Sequence, residues 1–468
     1  MQIIEISVEG LFGVFDHNIP LQNAARVTII HGPNGLGKTM MLKMIAALIV
    51  GRTRIFEQVP FEQFRVLLDD GKTIIVRHQG DALQDDAKRH NKLDVSIFDS
   101  TGRKLQAPDE DILPDVPRQV LDALDQHIPG PYSRYKSGWK NPRSGTLYSI
   151  DDILELFPSA AKYLPTEYRM NNISNIFKGL KAFFVETTRL NAEKSMRPTP
   201  NRNGNIFQSD MDLDWIDDET ESPQPYVLRV DQYSRDIVQR IKSALADYAK
   251  HSQESDRTFP ERLVRFVRDE NTADSEAIIL TKMAELETKR KRLIALGFLD
   301  SESGLSDLTE DDVRRAPEAL TIYVGDVQKK LSVFDDLSQR VGKLIDIINA
   351  RFKYKTLTLH RDHGFRLIAK SGEPIQLEDL SSGEQHELVV LYELLFRAPR
   401  NGLVLVDEPE ISLHVAWQSR FLVDLMDILE LTDSYGIVAT HSPVIIGTRW
   451  DLTKELNGPD DGDIEKVI

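Results

Sequence analysis

Cysteine is missing altogether from the 468 residues, so disulfides, zinc-thiolate sites and thiol nucleophiles are excluded from this chain's chemistry. No run approaches the roughly eighteen consecutive apolar residues that a spanning helix needs. The N-terminus also lacks the basic and then apolar pattern of a leader, since Ile3-Ile4-Glu5-Ile6-Ser7-Val8 alternates as a strand does. The expected location is the cytoplasm. Positive charge is in deficit as well, with 58 Lys and Arg against 74 Asp and Glu and a net charge of −16, which argues against a broadly basic surface that coats nucleic acid. What remains, 41% hydrophobic and 28% charged residues, is the composition of a globular protein long enough for two or three domains.

Against these absences stands one dense motif. The apolar run Val27-Thr28-Ile29-Ile30 leads into His31-Gly32-Pro33-Asn34-Gly35-Leu36-Gly37-Lys38-Thr39, and a helix-like Met40-Met41-Leu42-Lys43-Met44-Ile45 follows. A strand, a glycine-rich loop ending in Gly-Lys-Thr and a helix form the setting of a phosphate-binding loop. The glycines let backbone N–H groups turn inward around an anion, and the helix presents its positive dipole end to the same place. Gly32 through Gly37 thus form the cradle. Lys38 is placed to reach the β- and γ-phosphates of a nucleotide, and the Thr39 hydroxyl to bind Mg²⁺.

A second cluster lies in the C-terminal third. Gly402-Leu403-Val404-Leu405-Val406 reads as a buried strand and ends in Asp407-Glu408-Pro409-Glu410. Carboxylates at the C-terminal end of such a strand sit where open α/β sheets place ligands. Asp407 is expected to hold Mg²⁺, directly or through water, and Glu408 to polarise an attacking water. Trp417, Phe421, Leu422, Leu425, Ile428 and Leu429 then recur at helical spacing, predicting a helix that covers the sheet. Tyr435-Gly436-Ile437-Val438-Ala439 predicts another buried strand. His441, in the Thr440-His441-Ser442-Pro443 that follows, is expected to contact the γ-phosphate.

Between the clusters, Leu380-Ser381-Ser382-Gly383-Glu384-Gln385 opens a helix-like segment. Ser381 with Glu384 three residues on is a capping box, and first-turn N–H groups that need acceptors make an anion site. Two cationic stretches invite a phosphate reading but are more simply read as solvated surface. One is Tyr132 to Arg143, where cations alternate with aromatics; the other is the run Lys289 to Arg292 on a predicted helix.

The order of these motifs, with the phosphate loop first, then a long insertion, then signature, acidic strand and histidine close together, resembles ABC-type ATPases of the SMC/RecF/OLD group. The run from Asp407 to His414, with Trp417-Gln418 and Ala439 to Pro443, is similar to bacterial OLD-like ATPases, and within them to the ATPase subunits of two-component anti-phage systems such as Septu and PARIS. Phe183 to Leu190 resembles the family's strand into the Q-loop, and Ser252 to Leu263 its helical-lobe segment. The signature reads Leu380-Ser381-Ser382-Gly383 where the family commonly has LSGG. Thr188 stands where its Q-loop glutamine is expected, with Gln58 and Gln63 as alternatives.

The resemblance implies an α/β fold, an ABC-type P-loop ATPase head whose mixed sheet is flanked by helices, with a mainly helical inserted lobe. Residues 1–79 would carry the first part of the head, 80–180 a mixed insertion, 181–225 a head strand and flexible linker, 226–350 the helical lobe, and 351–468 the rest of the head. Hairpins are expected about Asp69 to Lys72 and about Asp362-His363-Gly364. No internal repeat is present. The resemblance also implies ATP and Mg²⁺ as ligands and a homodimer or higher homo-oligomer. In that assembly Ser381 and the Gly383 amide of one subunit would meet the γ-phosphate held by its partner, while Glu408 and His441 catalyse hydrolysis.

Sustained heptads for a long SMC arm are lacking. The 27 residues after His441 (468 minus 441) leave no room for a TOPRIM nuclease, so the expected effector, a nuclease or toxin acting in antiviral defence, is a separate polypeptide. The alternative is a RecF-like repair ATPase that binds DNA when ATP dimerises it. A transporter ATPase fits less well, because such heads are compact. A P-loop kinase or GTPase would need no signature, and its acidic strand would lie nearer the phosphate loop. No membrane contact is expected.

Overall fold

The computed structural model describes residues 1–21, 23–50, 54–79, 92–105, 125, 133–135, 138–140, 147–148, 177, 180–186, 226–269, 272–300, 310–411, 413 and 415–458. The expected linker, the Thr188 position, Ser412, His414 and most of 80–180 lie outside the described residues. Two compact units emerge, one of Met1–Pro223 with Pro399–Ile468 and one of Gln224–Ala398.

The first unit begins with β1 (Ile3–Leu11) and β2 (Phe15–Pro20), then β3 (Val27–His31), α1 (Lys38–Val50), α2 (Arg54–Gln58), β4 (Gln63–Leu68), β5 (Thr73–Gln79), β6 (Lys92–Phe98) and β7 (Lys104–Leu105). Three short strands, β8 (Ser133–Tyr135) and β9 (Gly138–Lys140) within the cationic 132–143 region and β10 (Leu147–Tyr148) beyond it, make a small antiparallel sheet, and β11 (Ala182–Glu186) follows. β4 and β5 pair antiparallel as the expected hairpin, inside a six-stranded antiparallel sheet ordered β2-β1-β4-β5-β6-β7.

The second unit is helical at first. α3 (Tyr226–Arg268) runs 43 residues, and its buried Val230, Tyr233, Ile237, Ile241 and Ala244 recur at helical spacing along one face. α4 (Glu276–Ala295), α5 (Glu310–Arg315), α6 (Pro317–Ser332) and α7 (Asp335–Arg351) follow. α6 packs along α3, and the guanidinium of Arg262 grips the buried Asp326 with both outer nitrogens at 2.7 Å. The expected hairpin appears as β12 (Lys355–His360) and β13 (Gly364–Ala369), with β14 (Pro374–Ile375) at the edge. The serine-glycine motif opens α8 (Ser382–Tyr392), which continues into a π-helical turn, Glu393–Arg397.

The chain then re-enters the first unit through β15 (Leu403–Asp407), α9 (Val415–Leu431), β16 (Tyr435–Thr440), α10 (Pro443–Ile446) and β17 (Thr453–Glu455). These complete a five-stranded parallel sheet ordered β11-β15-β16-β3-β17. Of the two large sheets in this unit, one is therefore wholly antiparallel and the other wholly parallel. α1 carries apolar residues on every side and is buried accordingly: Met41, Leu42, Ile45 and Leu48 share one core with Ile6, Val8, Phe64 and Val66 of the antiparallel sheet and with Leu405, Ile437 and Ala439 of the parallel one. α9 covers the other face of the parallel sheet. Gly436 lets it approach, since a Cβ there would lie 2.9 Å from Leu429 Cδ1. Phe421, Leu422, Leu425, Ile428 and Leu429 are buried as their spacing predicts, whereas Trp417, in the helix's first turn, is half-buried.

Candidate functional site

Three adjacent strands of the parallel sheet end on one line. Register places Thr440 of β16 opposite His31 of β3, and Ala439 of β16 opposite Asp407 of β15. The phosphate loop, the acidic pair and the histidine consequently emerge side by side at the sheet's C-terminal edge, although Lys38 and His441 are 403 positions apart.

The loop after β3 is held by its glycines and by one histidine. Gly35 and Gly37 adopt φ of 89° and 82°, a left-handed region that side chains disfavour. A Cβ on Gly32 would meet the carbonyl oxygen of Leu456 at 2.6 Å. The ring of buried His17 lies with Nε2 2.8 Å from the Leu36 carbonyl; that nitrogen must carry the proton, because a carbonyl can only accept. Burial pushes the His17 imidazole below its ordinary pKa, against the opposing pull of its bond to Leu36. Pro33, Asn34 and Leu36 complete the loop, and Leu36 anchors it by burying its side chain.

Lys38 opens α1 and is buried. Its Nζ donates to the carbonyls of Gly32 at 2.9 Å and Pro33 at 2.8 Å, folding back over the loop it belongs to. Burial lowers its pKa, and the charges of Glu408, Asp407 and Glu410 oppose that fall. The same Nζ lies 3.5 Å from His441 Nδ1, and His441 Nε2 lies 3.1 Å from Glu408 Oε1. An ammonium cannot accept and a carboxylate cannot donate. The network therefore assigns neutral His441 as the Nε2–H tautomer, receiving from Lys38 and donating to Glu408.

Glu408 itself is held at φ 44°, an uncommon value for a side-chain-bearing residue. Its N–H donates to the Ala439 carbonyl at 2.8 Å, and its carbonyl accepts from Ile411 N–H at 3.1 Å. Those two bonds close the turn that swings the Glu408 side chain toward His441. Asp407, the last residue of β15, is buried.

The structure thus brings together Lys38, Asp407, Glu408 and His441 in the first unit, with Gly32 to Thr39 as the loop around them. Ser381 and Gly383 belong to the second unit. There the capping box is complete: Ser381 Oγ accepts from Glu384 N–H, and the Glu384 carboxylate accepts from Ser381 N–H at 2.8 Å and from Ser381 Oγ at 2.9 Å. Lys355 donates to the same carboxylate at 2.8 Å. Burial tends to raise the Glu384 pKa, but its bonds to Lys355 and Ser381 leave it lowered, so the carboxylate stays charged.

Glu410 and Gln418 are functional neighbours that sequence reasoning passed over. Glu410 Oε1 accepts from His441 N–H at 2.6 Å and from Thr440 Oγ1 at 2.8 Å. The Gln418 amide donates to the carbonyls of Glu410 and Leu413, both at 3.1 Å, and accepts from Ser442 Oγ at 3.3 Å. The second acidic residue in Asp407-Glu408-Pro409-Glu410 was the available signal for the first of them.

Of the cationic stretches, Lys289 pairs with Asp335 at 2.5 Å and Lys291 with Glu287 at 3.8 Å. Among the described residues, no group of three or more His, Asp or Glu side chains could hold a metal ion, and no helix is long and apolar enough to cross a membrane.

Residues 295–447 match the family described as "AAA domain, putative AbiEii toxin, Type IV TA system". The match takes in the signature, acidic strand and histidine but stops short of the phosphate loop. Over 67 residues the chain is 40% identical to Protein ea59 of Escherichia phage lambda, a stretch that is 14% of this chain and only 13% of that relative's length. Among solved structures, the Smc head domain of Pyrococcus furiosus, with an extended coiled coil and bound to the C-terminal domain of ScpA, is 13% identical, aligned over 99% of this chain and 98% of that one, with a TM-score of 0.32. The Smc head domain of Pyrococcus yayanosii, with a coiled coil and joint, gives the same identity, coverage and TM-score: 13%, 99% and 98%, and 0.32. Likeness of that degree fixes neither topology nor function. The family match and the loop, acidic pair and histidine gathered at one sheet edge support a nucleotide-binding P-loop ATPase.

Proposed function

We propose that this chain binds ATP and hydrolyses it, working as a nucleotide-dependent dimeric switch that controls a separate effector, a nuclease or toxin, in anti-phage defence. The observation that carries the reading is the line from Lys38 through the His441 imidazole to Glu408, three groups carried by the segments that follow three neighbouring strands. Lys38 would leave the Gly32 and Pro33 carbonyls for the β- and γ-phosphates, which offer a buried ammonium far stronger acceptors. Glu408 would take the proton of the attacking water, and His441 would stabilise charge developing on the γ-phosphate. Gly32 to Gly37 would supply inward N–H groups to the phosphates.

The donor set suits Mg²⁺: one hydroxyl, Thr39, and one buried carboxylate, Asp407, with the remaining positions left to water and phosphate oxygens. When bound, the ion would neutralise charge on the transferred phosphate. Ser381 and Gly383 would serve the γ-phosphate held by a partner subunit, so that ATP joins two copies and its hydrolysis releases them. The family description names an AAA domain and a putative toxin of a type IV system, which keeps toxin activity among the candidates.

Glu408→Gln tests the reading. The variant should keep its affinity for ATP, lose about 10²- to 10³-fold in phosphate release, and form a dimer that outlives the wild-type one in size-exclusion runs with Mg-ATP. Unchanged turnover would remove Glu408 from the chemistry. A dimer indifferent to nucleotide, or to Ser381→Ala, would sink the switch. Co-purification with the product of an adjacent gene would identify the effector.

A further inference from the structure

Beyond the residues given a role above, the loops after β15 and β16 are stapled together at one carboxylate. Glu410 Oε1 accepts two hydrogen bonds from consecutive residues, the Thr440 hydroxyl at 2.8 Å and the His441 N–H at 2.6 Å. Thr440 is fully buried. Its hydroxyl also accepts from Ser442 N–H at 3.0 Å, so the proton it gives to Glu410 and the one it takes from Ser442 fix the backbone on both sides of His441. Gln418 holds the Glu410 carbonyl from behind and accepts from Ser442. From that backbone the His441 ring lies between Lys38 and Glu408.

We propose that Glu410 is a positioning residue for His441, acting through the main chain of Thr440 and His441 rather than on the nucleotide. The inference rests on the ATP-hydrolysing reading of the site. Three features favour it over a merely structural acid. The carboxylate spends one oxygen on the backbone of the histidine, whereas a capping acid would serve a helix. Its other oxygen, Oε2, is buried without a hydrogen-bond partner among the described residues, a cost that an apolar residue would avoid. Finally, a charged acceptor makes stronger bonds than an amide carbonyl does, and a ring held between two charged groups needs a stiff hinge. Supporting residues of this kind typically matter 10- to 100-fold for the groups they orient.

The test uses the full chain and reads the ring directly. In ¹⁵N-histidine spectra of the nucleotide-free protein, wild-type His441 should show the Nε2–H tautomer. Glu410→Ala should give averaged imidazole shifts of a ring that samples both tautomers, and Glu410→Gln, whose amide oxygen accepts the same bonds more weakly, should recover the wild-type pattern in part. In steady-state kinetics Glu410→Ala should lower kcat about 10- to 100-fold with KM for ATP within about threefold, since the phosphate loop is untouched. The same substitution in a His441→Ala background should cost no more than about twofold, because a residue acting through the imidazole has nothing left to aim. An unaltered His441 spectrum in Glu410→Ala overturns the proposal, and so does an equal loss with and without the imidazole. Should Glu410→Ala fail to fold, Thr440→Val, which removes the hydroxyl at similar size, must shift the same resonances, and an unchanged spectrum again overturns it. Wild-type protein that hydrolyses no ATP would defeat the underlying reading and leave the spectrum to decide the role of Glu410.

Discussion

The ammonium of Lys38 stands 3.5 Å from Nδ1 of His441, and each group has further partners within the protein. Lys38 satisfies itself on two carbonyls of its own loop, and the imidazole donates to Glu408. On the proposed reading, a nucleotide tail would compete for the lysine by offering charged oxygens in place of neutral ones. A site assembled in this way in advance would reduce the reorganisation required when charge develops in the proposed reaction.

Replacing Lys38 by Met separates these contributions. Burial holds the lysine's pKa below its ordinary value, which means that the folded protein bears a cost for the charged form at neutral pH, relieved only as pH rises through the folded value. A methionine of similar length bears no such cost. Nucleotide-free Lys38→Met should consequently melt at or slightly above the wild-type temperature. Saturating Mg-ATP, at 100 times Kd, stabilises a binding-competent fold by about 2.7 kcal/mol, and the variant should lose nearly all of that shift. Thermal melts with and without Mg-ATP check it; a variant that still gains the full shift would show that Lys38 does not hold the phosphates.

How far the sequence revealed this arrangement depended on the range of the interactions. Gly32 to Thr39, Asp407, Glu408 and His441 were legible because each motif is local and sits at the end of an apolar run, and parallel strands of similar length end on the same edge. The hairpins at Gly71 and Gly364 were legible for the same local reason. Glu410 was not, because its partners lie 30 and 31 positions away and depend on the register of β15 against β16. His17 was hidden similarly: its bond to the Leu36 carbonyl requires the first antiparallel strands to pack beside the phosphate loop. Nor does any pattern announce that Glu408 must take a positive φ, which follows from the N–H it lends to Ala439.

The two interior glycines of the phosphate loop offer a paired test of what confines it. Gly35 and Gly37 share a left-handed backbone, at φ 89° and 82°, so alanine at either should cost about 1 kcal/mol of strain. Around Gly35 there is open space, whereas a Cβ on Gly37 would lie 2.5 Å from Cδ2 of the fully buried Leu11. Overpacking adds roughly 1–3 kcal/mol. Urea titration of the nucleotide-free variants should therefore rank Gly37→Ala clearly below Gly35→Ala. Equal losses would mean that Leu11 yields and that backbone conformation alone sets the loop.

The signature helix carries a pH dependence of its own. His386, on α8, is buried and its pKa is pushed down to about 4 by that burial. The folded value lies below the ordinary 6.5, so between those limits the unfolded chain takes up a proton that the folded one refuses. Stability is unaffected above that window and falls as pH drops through it, by roughly 2 kcal/mol between pH 6.5 and 5. Glu384, lowered by Lys355 and Ser381, is lost only at more acid pH and does not blur the window. His386→Leu should abolish this component while leaving stability at pH 7.5 similar or higher. Hydrogen exchange of the α8 amides at pH 7.5 and 5 reads it locally, avoiding any assumption that two units unfold together. If the wild type and His386→Leu lose protection in parallel on acidification, the carboxylates rather than the imidazole govern the acid response of this helix.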